Sequence, residues 1–305
     1  MIDLIVIGGP TATGKTNYAI KLAQKCNGEI INADSRQVYK DLDIATNKGI
    51  LVPTDKFIAN TLELEIRGFK MEKTETIGWL FDLVTPDQEF NLATYQKLAD
   101  IVISDIVKRG KTPILVGGSG LYIDAVIKGY NLPEQSIDPT LRQNLNKLTV
   151  NELQEMLRSK DSQTFDKLNN SDQNNPRRLI RLIEKYEQSQ IQSSKPENQV
   201  NKYNVKFYYP EYTLEDLYTK IDKRVLEMFD QGLLAETERA VANGYENAKA
   251  LQSFGYKEAI SLLKGGIDKE ACIASIQREH RRYAKRQITW FEGEGRGYKL
   301  LQFTV

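Results

Sequence analysis

The stretch IVIGGPTATGKTNYAI, residues 5–20, constrains this chain more than any other. An apolar strand pattern runs into Gly9-Pro10-Thr11-Ala12-Thr13-Gly14-Lys15-Thr16, and a helical pattern follows. The spacing G-x-x-x-x-G-K-[ST] between a strand and a helix is a phosphate-binding loop. Its glycines let backbone N–H groups curl around an anion, and the helix N-terminus adds partial positive charge. Lys15 neutralises phosphate oxygens, and Thr16 can hold Mg²⁺. The loop does not specify the phosphate compound, and a nucleotide kinase is the commonest user of it at this length.

Around the loop, the first ~130 residues alternate apolar runs with helical patterns, as a parallel α/β sheet does. Leu4–Ile7, Glu29–Asn32 and Thr112–Val116 read as strands. Lys15–Lys25, Asp100–Arg109 and Leu121–Lys128 read as helices. Residues 45–80 fit neither pattern well. From Asn131 the texture turns polar and helical, with a capping box at Thr149 and Glu152 and a second helix start at Asn175-Pro176. A polar loop, 189–201, precedes a return to the sheet at 206–209. The expected architecture is an α/β, P-loop NTPase-like parallel sheet flanked by helices. Residues 1–130 and 203–305 form its core, and 131–202 a small all-helical insertion.

The chain has 305 residues, enough for a substantial core, and 42 Lys+Arg against 41 Asp+Glu. A net charge of +1 excludes a global electrostatic argument for nucleic acid, so any such partner must meet a local basic surface. Two cysteines, Cys26 and Cys272, give neither a disulfide framework nor a metal spacing. The short apolar start carries Asp3 and lacks a basic leader, and no run approaches the ~20 apolar residues of a membrane span. The expectation is a soluble cytoplasmic protein, without a membrane partner and monomeric.

Two further strand ends carry candidate chemistry. Asp34, after the second strand, stands where open α/β sheets place ligands. It can accept a proton or bind Mg²⁺ through water, or it can simply cap a turn. Ser35, Arg36 and Gln37 add a hydroxyl, a cation and an amide. PILVGGSGLY repeats the strand–glycine–helix arrangement, with Ser119 at the same sheet edge; a structural role there is as well supported as a functional one.

Residues 268–291 read as a long helix capped by Asp268. Ile273, Ile276, His280, Ala284, Gln287 and Phe291 lie along one side. Arg278, Arg281, Arg282, Lys285 and Arg286 cluster opposite, almost uncompensated. A second basic group, Arg177, Arg178 and Arg181, opens the helix after Asn175. Each could be an ordinary solvated face, but the pair suggests a clamp on RNA phosphates. His280, the only histidine, reads as packing.

Taken together, GPTATGKT, INADSRQVYKDLDIAT, PILVGGSGLY, NPRRLIR, RVLEMFDQGL, GYKE and YAKRQITWF resemble the tRNA dimethylallyltransferase (tRNA isopentenyltransferase) family, bacterial type. The resemblance runs from residue 9 to 291. It implies transfer of a dimethylallyl group from dimethylallyl diphosphate, with Mg²⁺, to N6 of the adenosine immediately 3′ of the anticodon in tRNA. Gly9, Pro10, Thr11, Ala12, Thr13, Gly14, Lys15, Thr16 and Arg286 would hold the diphosphate, with Thr16 on the metal. Asp34, Thr11, Lys15 and Arg224 would be catalytic. Contacts to the anticodon stem-loop would come from Asp34, Ser35, Arg36, Gln37, Ser119, Arg177, Arg178, Arg181, Arg278, Arg281, Arg282 and Lys285.

The chain departs from the family pattern in places. IGWLFDLVTPDQEF replaces a His-rich segment and follows an unusual stretch around 50–75. His280 stands where threonine is usual, and Glu292 where arginine is usual. A small-molecule kinase explains residues 9–34 equally well but leaves both basic helices unused. An adenylate isopentenyltransferase shares the chemistry without needing them. A catalytically silent RNA-binding protein would not need Lys15, Thr16 and Asp34 intact.

Overall fold

β1 (Ile2–Gly8) is apolar along nearly its whole length because it lies inside one sheet with both faces covered. The computed structural model describes residues 1–59, 62–132, 139–191, 202–293 and 297–304. They fall into two units, residues 1–130 with 199–305 and residues 131–198.

In the larger unit, α1 (Lys15–Lys25) and β2 (Gly28–Asn32) follow β1. Next come β3 (Leu51–Ile58), β4 (Ile66–Met71), β5 (Ile77–Trp79), α2 (Leu92–Lys108), β6 (Thr112–Gly117) and α3 (Gly120–Lys128). The smaller unit holds α4 (Pro139–Leu145), α5 (Val150–Lys160), α6 (Ser162–Asp166), α7 (Asn170–Gln173) and α8 (Pro176–Ile191). The chain returns as β7 (Tyr203–Pro210), α9 (Leu214–Asp230), α10 (Leu233–Ala242), α11 (Tyr256–Leu263), α12 (Lys269–Glu292) and β8 (Leu300–Phe303).

The strand order is β3-β4-β5-β2-β6-β1-β7-β8. Pairs from β5 through β8 are parallel, whereas β3–β4 and β4–β5 are antiparallel. The expected α/β, P-loop NTPase-like sheet flanked by helices is present; it is mostly parallel, with an antiparallel edge built from residues 51–79, which fit neither sequence pattern well. α2 and α3 pack Tyr95, Leu98, Val102, Ile106 and Ile123 on one side of the sheet. α1 packs Ile20 and Ala23 with Ile30 and Ile114 in a second apolar cluster. Each fully buried leucine, isoleucine or valine among them contributes roughly 1.5–3 kcal/mol. α2 begins eight residues earlier than the sequence pattern suggested, because Asn91 caps it by accepting from Thr94 N at 2.9 Å.

Among its described residues the smaller unit holds helices joined by short turns and no strand. Thr149 and Glu152 form the expected capping box on α5, and Asn175 precedes Pro176 at the start of α8. Its core is Leu145, Leu153, Leu157, Phe165, Leu179, Ile180 and Ile183. Buried Glu184 on α8 accepts two hydrogen bonds from Arg142 on α4. α8 runs through Ile191, and the rest of the expected polar loop, 192–201, lies outside the described residues. Among the described residues no helix is long and apolar enough to cross a membrane.

Candidate active site

β2, β6 and β1 are neighbours, so their C-terminal ends bring three loops side by side. The loop after β1 needs glycine at both ends. Gly9 has φ 144° and Gly14 has φ 75°, and Gly14 caps α1. Within it, Thr13 Oγ1 donates to Pro10 O at 2.8 Å and Lys15 Nζ donates to the same carbonyl at 2.5 Å.

The turn after β2 is set by a buried asparagine. Asn32 Oδ1 accepts from Asp34 N at 2.9 Å, while Nδ2 donates to Leu80 O at 3.0 Å. Tyr95 OH donates to Asn32 O at 2.9 Å. One Asp34 carboxylate oxygen accepts from Arg36 N at 2.9 Å. The turn after β6 is tied to this one, since Ser119 N donates to Ala33 O at 3.1 Å and Ser119 Oγ accepts from Ser35 N at 3.0 Å. Gln37 Nε2 donates to Thr46 O and Asn47 O, bracing the next loop.

Two helices reach in from the C-terminal part of the larger unit. From α9, Arg224 Nη1 donates to Thr11 Oγ1 at 2.7 Å. From α12, buried Gln287 accepts from Thr11 N at 2.8 Å. Together they enclose a cavity of about 200 Å³ lined by Thr11, Lys15, Thr16, Asp34, Arg224 and Gln287 above an apolar floor of Ile30, Met71, Phe81 and Val116. Lys48 also lines it, but its amine is committed to Tyr39 O, Asp43 and Asp82.

Burial dominates the electrostatics. It lowers Lys15 to about 7, with Asp34 opposing and Arg224 adding to the shift. It raises Asp34 from its ordinary value, against the Arg36 N–H bond and the charges of Lys15, Arg36 and Arg224. It lowers Arg224 to about 10. A basic carboxylate beside cations that are unfavourable without an anion is suited to holding a polyanion and accepting a proton next to it.

The remaining expected residues fall outside this cavity. Asp268 caps α12 by accepting from Ala271 N, and Ile276, His280, Ala284, Gln287 and Phe291 are buried as the spacing predicts. The buried line starts at Cys272, with Ile273 only half-buried. The expectation of an uncompensated opposite face is corrected. Arg281 pairs with Asp222 of α9 at 2.5 Å and Arg282 with Glu279 at 2.7 Å. Arg278, Lys285 and Arg286 are exposed, and the Arg286 guanidinium lies over the Tyr283 ring at 5.7 Å. In the smaller unit Arg178 pairs with Asp172 and Arg181 with Glu184, while Arg177 is exposed. His280 packs edge-on against Phe254, and burial lowers it to about 3, so it stays neutral.

Sequence reading placed Gln287 on the inward side but gave it no partner. The available signal was a lone amide in an apolar line, since a buried amide must be hydrogen-bonded.

Fold and cavity are those of a P-loop enzyme, with a buried carboxylate beside the phosphate loop and apolar side chains in the same cavity. A family model for IPP transferase matches residues 69–294, and one for isopentenyl transferase matches residues 2–56. A tRNA dimethylallyltransferase of Anoxybacillus flavithermus is 38% identical over 95% of this chain and 88% of its own length. The solved tRNA isopentenylpyrophosphate transferase of Bacillus halodurans is 32% identical, covering 100% of this chain and 90% of that one, with a TM-score of 0.67. A eukaryotic dimethylallyltransferase solved acting on tRNA superposes with a TM-score of 0.74 at 25% identity, over 99% of this chain and 74% of that one. The chain belongs to the IPP transferase family.

Proposed function

We propose that the cavity transfers the dimethylallyl group of dimethylallyl diphosphate to N6 of the adenosine 3′ of the anticodon in tRNA, releasing diphosphate. The observation that carries this reading is that apolar Ile30, Met71, Phe81 and Val116 line the same cavity as the phosphate loop and Asp34. The reacting carbon of a five-carbon allylic donor needs an apolar surface beside its diphosphate, whereas the phosphoryl group that a kinase moves does not itself require one. The amides of residues 12–16 and Lys15 hold the diphosphate, and Arg224, fixed on Thr11, lies where negative charge grows as the carbon–oxygen bond breaks. Asp34, made basic by burial, takes the proton of the attacking amine.

Mg²⁺ fits the residues present. No cluster of three or more carboxylate, histidine or cysteine ligands exists among the described residues, and Thr16 offers one oxygen in the cavity. An ion that keeps most of its waters and takes phosphate oxygens needs no more from the protein. Thr16 would hold it, with Asp34 through water, and it would supply charge neutralisation on the diphosphate.

The target base must leave its stack to reach Asp34. Arg36 and Tyr283 stand beside Asp34, and the exposed Arg278, Lys285 and Arg286 on α12 give the RNA phosphates a cationic surface. Exposed Arg177 offers the smaller unit a contact of the same kind. These cations favour RNA over a free nucleotide as acceptor. The test is incubation with Mg²⁺ and labelled dimethylallyl diphosphate in parallel with tRNA, AMP or ATP. Label in tRNA alone is expected. Label in AMP would move the acceptor to a free nucleotide, and ATP turnover without label transfer would refute prenyl transfer.

A further inference from the structure

One side chain of α12 reaches both phosphate-side loops. Gln287 is 4% exposed, and both ends of its amide are engaged. Oε1 accepts from Thr11 N at 2.8 Å and Nε2 donates to Gly118 O at 2.9 Å. The amide orientation is fixed, because exchanging N and O would set donor against donor and acceptor against acceptor. The second glycine of GGSG is explained by the same contact, since a Cβ on Gly118 would lie 2.1 Å from Gln287 Nε2.

The consequence falls on Thr11. Gln287 holds its backbone N–H and Arg224 donates to its hydroxyl at 2.7 Å, so one loop residue is gripped by two helices. That N–H is occupied by Gln287, leaving the phosphate cradle to residues 12–16. Arg224 has its Nε buried and without a hydrogen-bond partner, and its Nη1 is anchored on the Thr11 hydroxyl.

We propose that Gln287 is a positioning residue for group transfer: it fixes Thr11, and through Thr11 it sets the Arg224 guanidinium against the departing diphosphate. The proposal rests on the prenyl-transfer reading above. Ground-state binding of the diphosphate depends on Lys15 and the loop amides, so loss of Gln287 acts on the transition state. A misplacement of this kind lowers kcat by about 10- to 100-fold. The donor KM stays within about threefold, because binding common to both states is untouched.

The experiment measures kcat and donor KM for wild type, Gln287→Met, Arg224→Ala and the double variant, with tRNA as acceptor. Gln287→Met should show the kcat loss at near-constant KM, and in the double variant the two losses should overlap rather than multiply. Thr11→Ala removes only the hydroxyl that anchors Arg224 and guards against a Met variant that fails to fold; it should show the same kind of kcat loss at near-constant KM. An unchanged kcat in either folded variant, or losses that multiply, would overturn the proposal while leaving the prenyl-transfer reading intact. A wild type that transfers no label would overturn both.

Discussion

Lys15 is poised for an anion, and in the donor-free protein that poise costs stability. Burial brings its amine from 10.5 to about 7. Below pH 7 the folded state carries the charged amine at full cost. Between pH 7 and 10.5 the unfolded chain binds more protons, so stability rises with pH, and above that range the cost is gone. The whole shift corresponds to roughly 5 kcal/mol at about 1.4 kcal/mol per tenfold. Partial solvent contact and the hydrogen bond to Pro10 O reduce what a substitution recovers to about 1–3 kcal/mol. Lys15→Met should therefore raise the melting temperature of the donor-free, metal-free protein by a few degrees at about pH 6. The advantage should shrink by about pH 9, while transfer is abolished. Thermal unfolding followed by circular dichroism at the two pH values reads this directly. A Lys15→Met protein no more stable than wild type at pH 6, or equally advantaged at both, would refute the electrostatic account of the loop.

Asp34→Asn should lower transfer by about 10²–10⁴-fold, the usual worth of a general base, with tRNA affinity in filter binding within about threefold of wild type. Met71→Ala opens the cavity floor, and the kcat/KM ratio for a ten-carbon over a five-carbon allylic diphosphate should rise, at a stability cost of about 2–5 kcal/mol. Arg278→Ala and Lys285→Ala should each reduce the salt dependence of tRNA binding by about one ion. Arg281, already paired with Asp222, should leave that slope unchanged when replaced and show its loss in thermal stability instead.

The parts legible in the sequence are those whose signals are local. The phosphate loop, α1, the Thr149 capping box and the Asp268 cap each reside in a few consecutive residues, and the inward line of α12 follows from helical period alone. The β3–β4–β5 edge was not legible for equally physical reasons. β3 is largely exposed, its register with β4 shifts between Pro53 and Phe57, and β5 has three residues. Turns there use Glu72 and Lys73 at positive φ where glycine would have marked them. The ion pair that neutralises Arg281 spans 59 residues, and the two partners of Gln287 lie 276 and 169 residues away. Such pairings come from the packing of elements far apart in the chain, which no single segment encodes.

The central claim is that this P-loop serves carbon–oxygen rather than phosphorus–oxygen cleavage, and one isotope measurement tests it. Dimethylallyl diphosphate carrying heavy oxygen at the position bridging carbon and phosphorus is incubated with the protein, Mg²⁺ and unmodified tRNA, and the products are weighed by mass spectrometry. The account predicts that the heavy oxygen leaves in diphosphate, mole for mole with prenylated adenosine. Heavy oxygen recovered in free dimethylallyl alcohol, with the tRNA unmodified, would contradict it.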